Sequence, residues 1–394
     1  MPAAVDALLD ISILATDTRV RGIGRYLAEL APALQRAAAA SKLSVGFLER
    51  TEWWGDGQCD TDADAAIARL LSTPLPEKRL AWAYRLRVGE ARATRAAGAR
   101  LLHLGFPNVT PLGDVGCPRL LTCHDLIPMR FPEHYADLGE GGAAGRRALD
   151  RRRWGTAAHV IAISQATADD LMRLLGMPAS RITVVYNGVK LERWSAIPGA
   201  ADATLRERYE LGDRSLLVYA GDADWRKNAD GMLRALERVR RLEPSADFAL
   251  VWAGKLSDKR QQGIRALARE LGIDESVKLL GFVPDEDLAA LYRQAHATLF
   301  VSRAEGFGYP VLEAMACGSP VITSNVSSLL ELAGDVAVTV DPEDPQRIAQ
   351  AIVAVEQNSE ARSQLTARGR DWVARFSCER QAQETLAVYE RLLA

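Results

Sequence analysis

Residues 297–317 read ATLFVSRAEGFGYPVLEAMAC: a strand-like run, a glycine-rich turn and a helix-like run in succession. Pro310 stands in the first turn of the expected helix, where a missing N–H costs nothing. A strand that passes through Gly306, Phe307, Gly308 and Tyr309 into a helix points free backbone N–H groups at whatever sits above the turn. The natural guest is an anion, usually phosphate. Two carboxylates belong to the segment, Glu305 at the turn and Glu313 in the helix. Phosphate repels a carboxylate beside it, so Glu305 is expected to face a sugar hydroxyl or a developing positive charge, and Glu313 to accept from ribose hydroxyls.

Working outward, LLVYAG (216–221), ADFALVWAG (246–254), VKLLGFV (277–283) and PVITSN (320–325) alternate with helical stretches. That alternation predicts parallel strands with crossover helices, a doubly wound α/β domain. The first half repeats it more loosely in LLDISIL (8–14), LSVGFLE (43–49), ARLLHL (99–104), PRLLTCH (118–124), HVIAIS (159–164) and ITVVYNG (182–188). Two facing domains are expected, 1–198 and 199–376, linked between Trp194 and Asp213 where Pro198-Gly-Ala-Ala-Asp202 breaks the pattern. Residues 377–394 read as an amphipathic helix packed on a domain surface.

At 394 residues, 48% hydrophobic and 25% charged, the chain falls in the ordinary soluble class. A net charge of −2 argues against a nucleic-acid partner. Without an eighteen-residue apolar run or a signal-peptide start, a cytoplasmic location is expected. The five cysteines are scattered and read as reduced thiols. Basic residues dominate the first 200 positions, 25 against 21 acidic. The arginine-rich stretches 78–100 and 146–153 read as solvated faces, with peripheral contact at anionic lipid, or a phosphorylated acceptor, as the alternative.

Two cations stand at another strand end, where Arg226 and Lys227 follow LLVYAG. A departing diphosphate gathers charge on its oxygen, and fixed donors there lower the barrier more than solvent does. Between strand and cations lies Asp222-Ala-Asp224, a spacing that can hold a divalent ion. A hard cation needs further oxygen ligands, and the neighbouring cations already match a diphosphate, so these are read as turn residues and no metal is expected. His124-Asp125 ends PRLLTCH, where a histidine can donate to a substrate oxygen; a structural histidine is the alternative. No Gly-x-Ser-x-Gly turn occurs, which leaves a serine hydrolase unsupported. Gly22 and Gly24, with Arg21, Arg25 and Tyr26, read as a loop after the first strand. The third glycine of a dinucleotide fingerprint is replaced by Leu27, which argues against a nicotinamide or flavin cofactor.

Together these residues resemble the retaining glycosyltransferases of the large fourth family, which adopt the GT-B fold of two facing Rossmann-like domains with a cleft between them. The marks are Arg21-Gly-Ile-Gly-Arg-Tyr26, His124-Asp-Leu-Ile-Pro128, Ala162-Ile-Ser-Gln165, Val185-Tyr-Asn-Gly-Val189, Arg226-Lys-Asn228, Leu280-Gly-Phe-Val283 and Glu305 to Glu313, in an order that spans nearly the whole chain. By matching position the resemblance implies that Glu313 binds the donor ribose and Glu305 the transferred sugar. Arg226 and Lys227 hold the diphosphate, the backbone from Gly306 to Tyr309 lines sugar and phosphates, and groups near Val283 meet the base. His124 faces donor sugar and acceptor, the Gly22 to Gly24 loop closes over the phosphates, and Arg21, Arg25, Tyr26 and Asp125 lie on the acceptor side. Many members carry arginine where this chain has Asp222, a role that passes to Arg226. The last helix is expected to pack back toward the first domain.

The resemblance implies transfer of a hexosyl group, mannose-like, from a GDP-linked or UDP-linked sugar to a glycan, lipid-linked or small-molecule acceptor, as in polysaccharide assembly, with no cofactor besides the donor. Retention through a covalent intermediate needs a carboxylate close beneath the anomeric carbon. None is found, so front-face transfer is expected, the departing phosphate taking the acceptor's proton. Two rivals stand beside it: a nucleotide-sugar epimerase, which needs an acid and base placed for elimination, and a noncatalytic sugar-nucleotide-binding subunit.

Overall fold

The computed structural model describes residues 4–20, 22–49, 58–72, 94–95, 97–106, 115–135 and 150–394. The chain divides into two units, Met1–Gly188 with Phe376–Ala394, and Val189–Arg375. The first holds β1 (Ala7–Asp10), β2 (Val45–Glu49), β3 (Gln58–Asp60), β4 (Leu101–Leu104), β5 (Arg119–Cys123), β6 (His159–Ala162) and β7 (Ile182–Val184). Their order is β3-β2-β1-β4-β5-β6-β7, parallel except for the edge pair β2 and β3. The second holds β8 (Ser215–Ala220), β9 (Phe248–Ala253), β10 (Val277–Gly281), β11 (Ala295–Phe300), β12 (Val321–Ser324) and β13 (Val338–Val340). Here the order is β10-β9-β8-β11-β12-β13, and every pairing is parallel.

Each sheet reverses its winding once, between β1 and β4 in the first and between β8 and β11 in the second. Such a switch point opens a crevice at the carboxyl ends of the two strands, where ligands bind in sheets of this kind. The central strands are mostly apolar because helices cover both faces; β9 is buried over its whole length. The three-residue edge strands β3 and β13 are not foreseen from sequence, since so short a run carries too few residues for alternation to show.

The boundary expected at residue 198 moves to Gly188 and Val189. Residues 189–198 belong to the second unit because the helix Asp285–Gln294 holds them: Trp194 is buried against Tyr292, Arg193 pairs with Asp285 at 2.9 Å, and Arg293 donates to the Ser195 carbonyl at 2.9 Å. Nor is the C-terminal helix a body of its own. Ser377 caps the helix Cys378–Leu393, whose Ala382, Leu386, Val388 and Tyr389 share one core with Tyr26, Leu27, Leu30 and Leu34 of the helix Gly22–Ala39. Burying each of these larger side chains contributes roughly 1.5–3 kcal/mol. Gly188 permits the docking: a Cβ there would lie 2.5 Å from the Cys378 Cα, and its N–H donates to Gln381 at 2.9 Å.

Candidate functional site

At the switch point of the second sheet, β8 leaves through Gly221 into a turn fixed by its own polar groups. The Tyr219 hydroxyl donates to the Asp222 carbonyl at 2.9 Å, and the Asp224 carboxylate accepts the Arg226 N–H at 3.2 Å, capping the 3-10 turn Trp225–Lys227. Both aspartates thus act as turn residues. Asn228 then takes a left-handed conformation, φ +58°, with its side chain fully buried. Its amide donates to the carbonyls of Val301 and Pro342 at 2.9 and 2.7 Å and accepts the Gly231 N–H at 3.2 Å. The turn after β8 is thereby tied to the chain leaving β11. Arg303 adds a second tie, its N–H reaching the Arg226 carbonyl at 2.7 Å and its guanidinium reaching both oxygens of Asp230 at 3.0 Å.

These ties bring Arg226, Lys227 and Glu305 together. Lys227 Nζ donates to Glu305 Oε1 at 2.7 Å, and Arg226 Nη1 donates to Oε2 at 2.9 Å. Burial alone would raise the Glu305 carboxyl, but the two cations hold it below the usual carboxylate range. Both carboxylate oxygens of Glu305 thus accept from the cations, and all three residues form one ionic cluster inside one unit. The side chain of Glu305 keeps 6% exposure, Lys227 12% and Arg226 24%, so the cations reach solvent further than the anion does. Arg226 Nε also lies 3.7 Å from the Asp224 carboxylate, which Arg260 meets at 3.5 Å, so three cations against two carboxylates leave the cluster net positive, an arrangement suited to a polyanion.

Gly308 ends the turn at φ +131°, where a Cβ would lie 2.6 Å from Leu329 Cδ2, so glycine is required on two counts. The helix Tyr309–Ala316 starts there, and Glu313, one turn in, is 1% exposed. Phe307 and Tyr309 are buried and meet edge to face at 5.2 Å. Gly306 lies between Glu305 and Phe307 in the same buried turn. Val283, after β10, is buried too, whereas its neighbour Phe282 is 67% exposed.

The first unit places its candidates around β4 and β5. His124 follows β5; its Nε2 lies 2.7 Å from the Gly105 carbonyl, which can only accept, so Nε2 carries the proton. Burial pushes this imidazole below the usual histidine range, and the neutral ring is left with Nδ1 as an acceptor. The donating role expected of His124 is thus taken up at Nε2 by the backbone. Tyr26, expected on the acceptor side, is 1% exposed, stands edge-on to His124 at 4.9 Å, and shares a hydrogen bond with Thr122 at 2.9 Å. Its ring supports His124 from within the core.

Gly22 and Gly24 are not in a loop but in the first turn of the helix Gly22–Ala39. A Cβ at Gly24 would lie 2.5 Å from the Arg19 Cα and from the carbonyl oxygens of Thr18 and Arg19, so this glycine serves close packing. Arg25 is half-buried, and Asp125 accepts the Ile127 N–H at 3.1 Å. Arg21 and most of the arginine-rich stretches lie outside the described residues.

Sequence reasoning passed over His103, a polar residue inside the apolar strand β4. It is wholly buried, with Nε2 2.8 Å from Thr122 Oγ1 and Nδ1 2.7 Å from the Tyr389 hydroxyl. A cavity of about 440 Å³ lies at the amino ends of β8 and β11, lined by Arg206, Arg214, His296 and Arg362. It is at the wrong end of the strands for the switch point. Arg214 turns its donors to Asp247, Ser276 and the carbonyls of Glu275 and Phe248.

Residues 20–193 match the model of Glycosyltransferase Family 4, and residues 202–372 that of Glycosyl transferases group 1. An O-antigen chain mannosyltransferase B of Escherichia coli is 32% identical over 234 residues, 59% of this chain and 60% of that protein. The serotype-specific mannosyltransferase WbdA of Escherichia coli is 29% identical over 72% of this chain but only 34% of its own length. The match thus spans less than two thirds of either relative. A D-inositol 3-phosphate glycosyltransferase of Salinispora arenicola is 29% identical over 77% of this chain and 71% of its own. Among solved structures, sucrose-phosphate synthase from Thermosynechococcus elongatus superposes with a TM-score of 0.73 at 21% identity, covering 98% of both chains. Anabaena HepE, in complex with UDP and glucose, does so with 0.71 at 18%, covering 98% of this chain and all of that one. The fold is GT-B, one doubly wound sheet per unit. With one family model on each unit, the chain belongs to the group 1 glycosyltransferases.

Proposed function

We propose that the protein is a retaining glycosyltransferase that moves a mannosyl or related hexosyl group from a nucleoside diphosphate sugar, GDP-linked by preference, to a glycan, lipid-linked or small-molecule acceptor. The observation that carries this is the Arg226–Lys227–Glu305 cluster at the switch point of the second sheet. Its outward cations suit the diphosphate, the amides of the Gly306 to Tyr309 turn suit its oxygens, and Glu313 suits the ribose. When the bond between anomeric carbon and phosphate oxygen breaks, negative charge grows on that oxygen. Cations already held by Glu305 meet it without reorganising, which lowers the barrier. In front-face transfer the same oxygen takes the acceptor hydroxyl's proton. Neutralisation is assigned to Arg226 and Lys227, with no resident metal or other cofactor in the proposed reaction.

His124 is proposed to accept, through Nδ1, from a hydroxyl of the transferred sugar; Arg25 and Asp125 are proposed for the acceptor side. The names of the Escherichia coli relatives support mannose as the sugar and a surface polysaccharide as the setting. The test is transfer from GDP-mannose to a lipid-linked or soluble mannoside, with the anomeric configuration of the product read by NMR. Retained configuration is expected; inversion would remove the front-face mechanism. Conversion of the nucleotide sugar with no acceptor present would point to an epimerase instead.

A further inference from the structure

Two serines outside every motif above hold the turn that precedes the helix Tyr309–Ala316. Ser328 is fully buried, and its hydroxyl lies 3.0 Å from the Glu305 carbonyl and 2.5 Å from the Phe307 carbonyl. Ser327 Oγ accepts the N–H of Glu305 at 3.1 Å. It does so from φ +51°, a left-handed conformation that a residue with a Cβ keeps only where its surroundings over-determine it. Both begin the helix Ser327–Ala333, which also supplies the Leu329 that would collide with any side chain at Gly308.

The direction of the turn's amides follows from this. In a trans peptide the C=O and N–H point opposite ways. Drawing the carbonyls of Glu305 and Phe307 onto Ser328 turns the N–H groups of Gly306 and Gly308 away from it. The same contacts place Glu305, whose carboxylate then holds Lys227 and Arg226. One pair of hydroxyls therefore fixes both the amide face of the turn and the anchor of the cations.

We propose that Ser327 and Ser328 are positioning residues that set the turn's affinity for the phosphates of the donor, an inference that rests on the function proposed above. A purely structural serine pair would affect every ligand of this unit alike. A phosphate-positioning pair affects only ligands that carry phosphates.

The experiment is calorimetric titration of wild type, Ser328→Ala and Ser327→Gly with GDP and UDP and with guanosine and uridine. Ser328→Ala is expected to weaken binding of the preferred diphosphate about tenfold, the worth of one hydrogen bond, and to leave its nucleoside unchanged. Ser327→Gly suits the left-handed backbone and so keeps the fold; a loss of about threefold is expected, again for the diphosphate alone. Equal weakening of diphosphate and nucleoside, or unchanged diphosphate affinity in both variants, overturns the proposal. If Ser328→Ala does not fold, unchanged affinity in Ser327→Gly decides against it. Wild type that binds neither diphosphate removes the GDP- or UDP-linked donor proposed above, and this inference with it.

Discussion

The two polar centres of this protein hold their shape by opposite means. In the second unit three charged groups, Arg226, Lys227 and Glu305, neutralise one another in part and keep some exposure. In the first unit a neutral chain runs from Tyr26 through Thr122 and His103 to Tyr389, all of it within the core. The charged centre retains net charge for a ligand, and its geometry depends on every partner being present. The neutral centre is satisfied internally and contributes rigidity to the strand ends that carry Gly105 and His124. A charge stripped of its partner in a low-dielectric site costs several times a lost neutral hydrogen bond, so substitutions should hurt the two centres unequally.

The largest effect is expected from Lys227→Ala, which removes one fixed donor from the departing phosphate and should lower turnover by about 10²–10³-fold, or about 3–4 kcal/mol. Steady-state transfer at near-normal rate would take the lysine out of this role. Next comes Glu305→Gln, which removes the carboxylate that both cations share, Arg226 keeping Asp224 at 3.7 Å. A loss of roughly 2–3 kcal/mol in urea unfolding is expected, below the figure for a fully buried pair because the Arg226 side chain keeps 24% exposure. A change under about 0.5 kcal/mol would place the cluster with ordinary surface pairs.

Acid separates the centres in another way. Burial pushes His103 down to about 3 from the ordinary histidine value of 6.5. Between those values the unfolded chain binds the extra proton, so this stability is complete above about pH 6.5 and is lost as pH falls toward 3, at up to about 1.4 kcal/mol per pH unit. His124, also depressed by burial, acts in the same direction. Glu305 is depressed below the ordinary carboxylate range. Its contribution is complete above its unfolded value and is lost as pH falls from there through the lower, folded one. From pH 7 to 5, His103→Gln should therefore flatten the fall in unfolding free energy by about one proton's worth, while Glu305→Gln leaves that slope alone. Equal slopes in wild type and His103→Gln would contradict the assignment. The smallest effect is expected from Tyr26→Phe, which deletes one buried hydroxyl and should cost about 1 kcal/mol in thermal unfolding. A loss above about 3 kcal/mol would mean that the chain carries more than its pairwise bonds.

What could be read from the sequence was what lies along it. The segment from Ala297 to Cys317 fixes strand, turn and helix because its signals are contiguous, and Gly308 and Pro310 stand where the backbone needs them. The alternation of apolar runs with helices placed the strands to within a few residues. Partnerships between distant residues were not legible. Nothing in the order of residues says that Glu305 turns onto Lys227, because that contact is made by Asn228 and Arg303 tying β8 to β11. His103 was hidden by its apolar neighbours, and Tyr26 looked available because a tyrosine beside glycines reads as a loop residue until the helix Gly22–Ala39 is seen to begin there. Ser327 and Ser328 carry no signal of their own; only the left-handed backbone at Ser327 marks them.

The central claim is that the Arg226–Lys227–Glu305 cluster and the adjoining turn hold a nucleoside diphosphate. A thermal-shift screen with UDP, GDP, ADP and dTDP on wild type and Lys227→Ala tests it most directly. One nucleotide should stabilise wild type by about 2.7 kcal/mol at 100 times its dissociation constant, and Lys227→Ala should lose most of that gain. Wild type indifferent to all four, or Lys227→Ala stabilised as fully as wild type, would contradict the account.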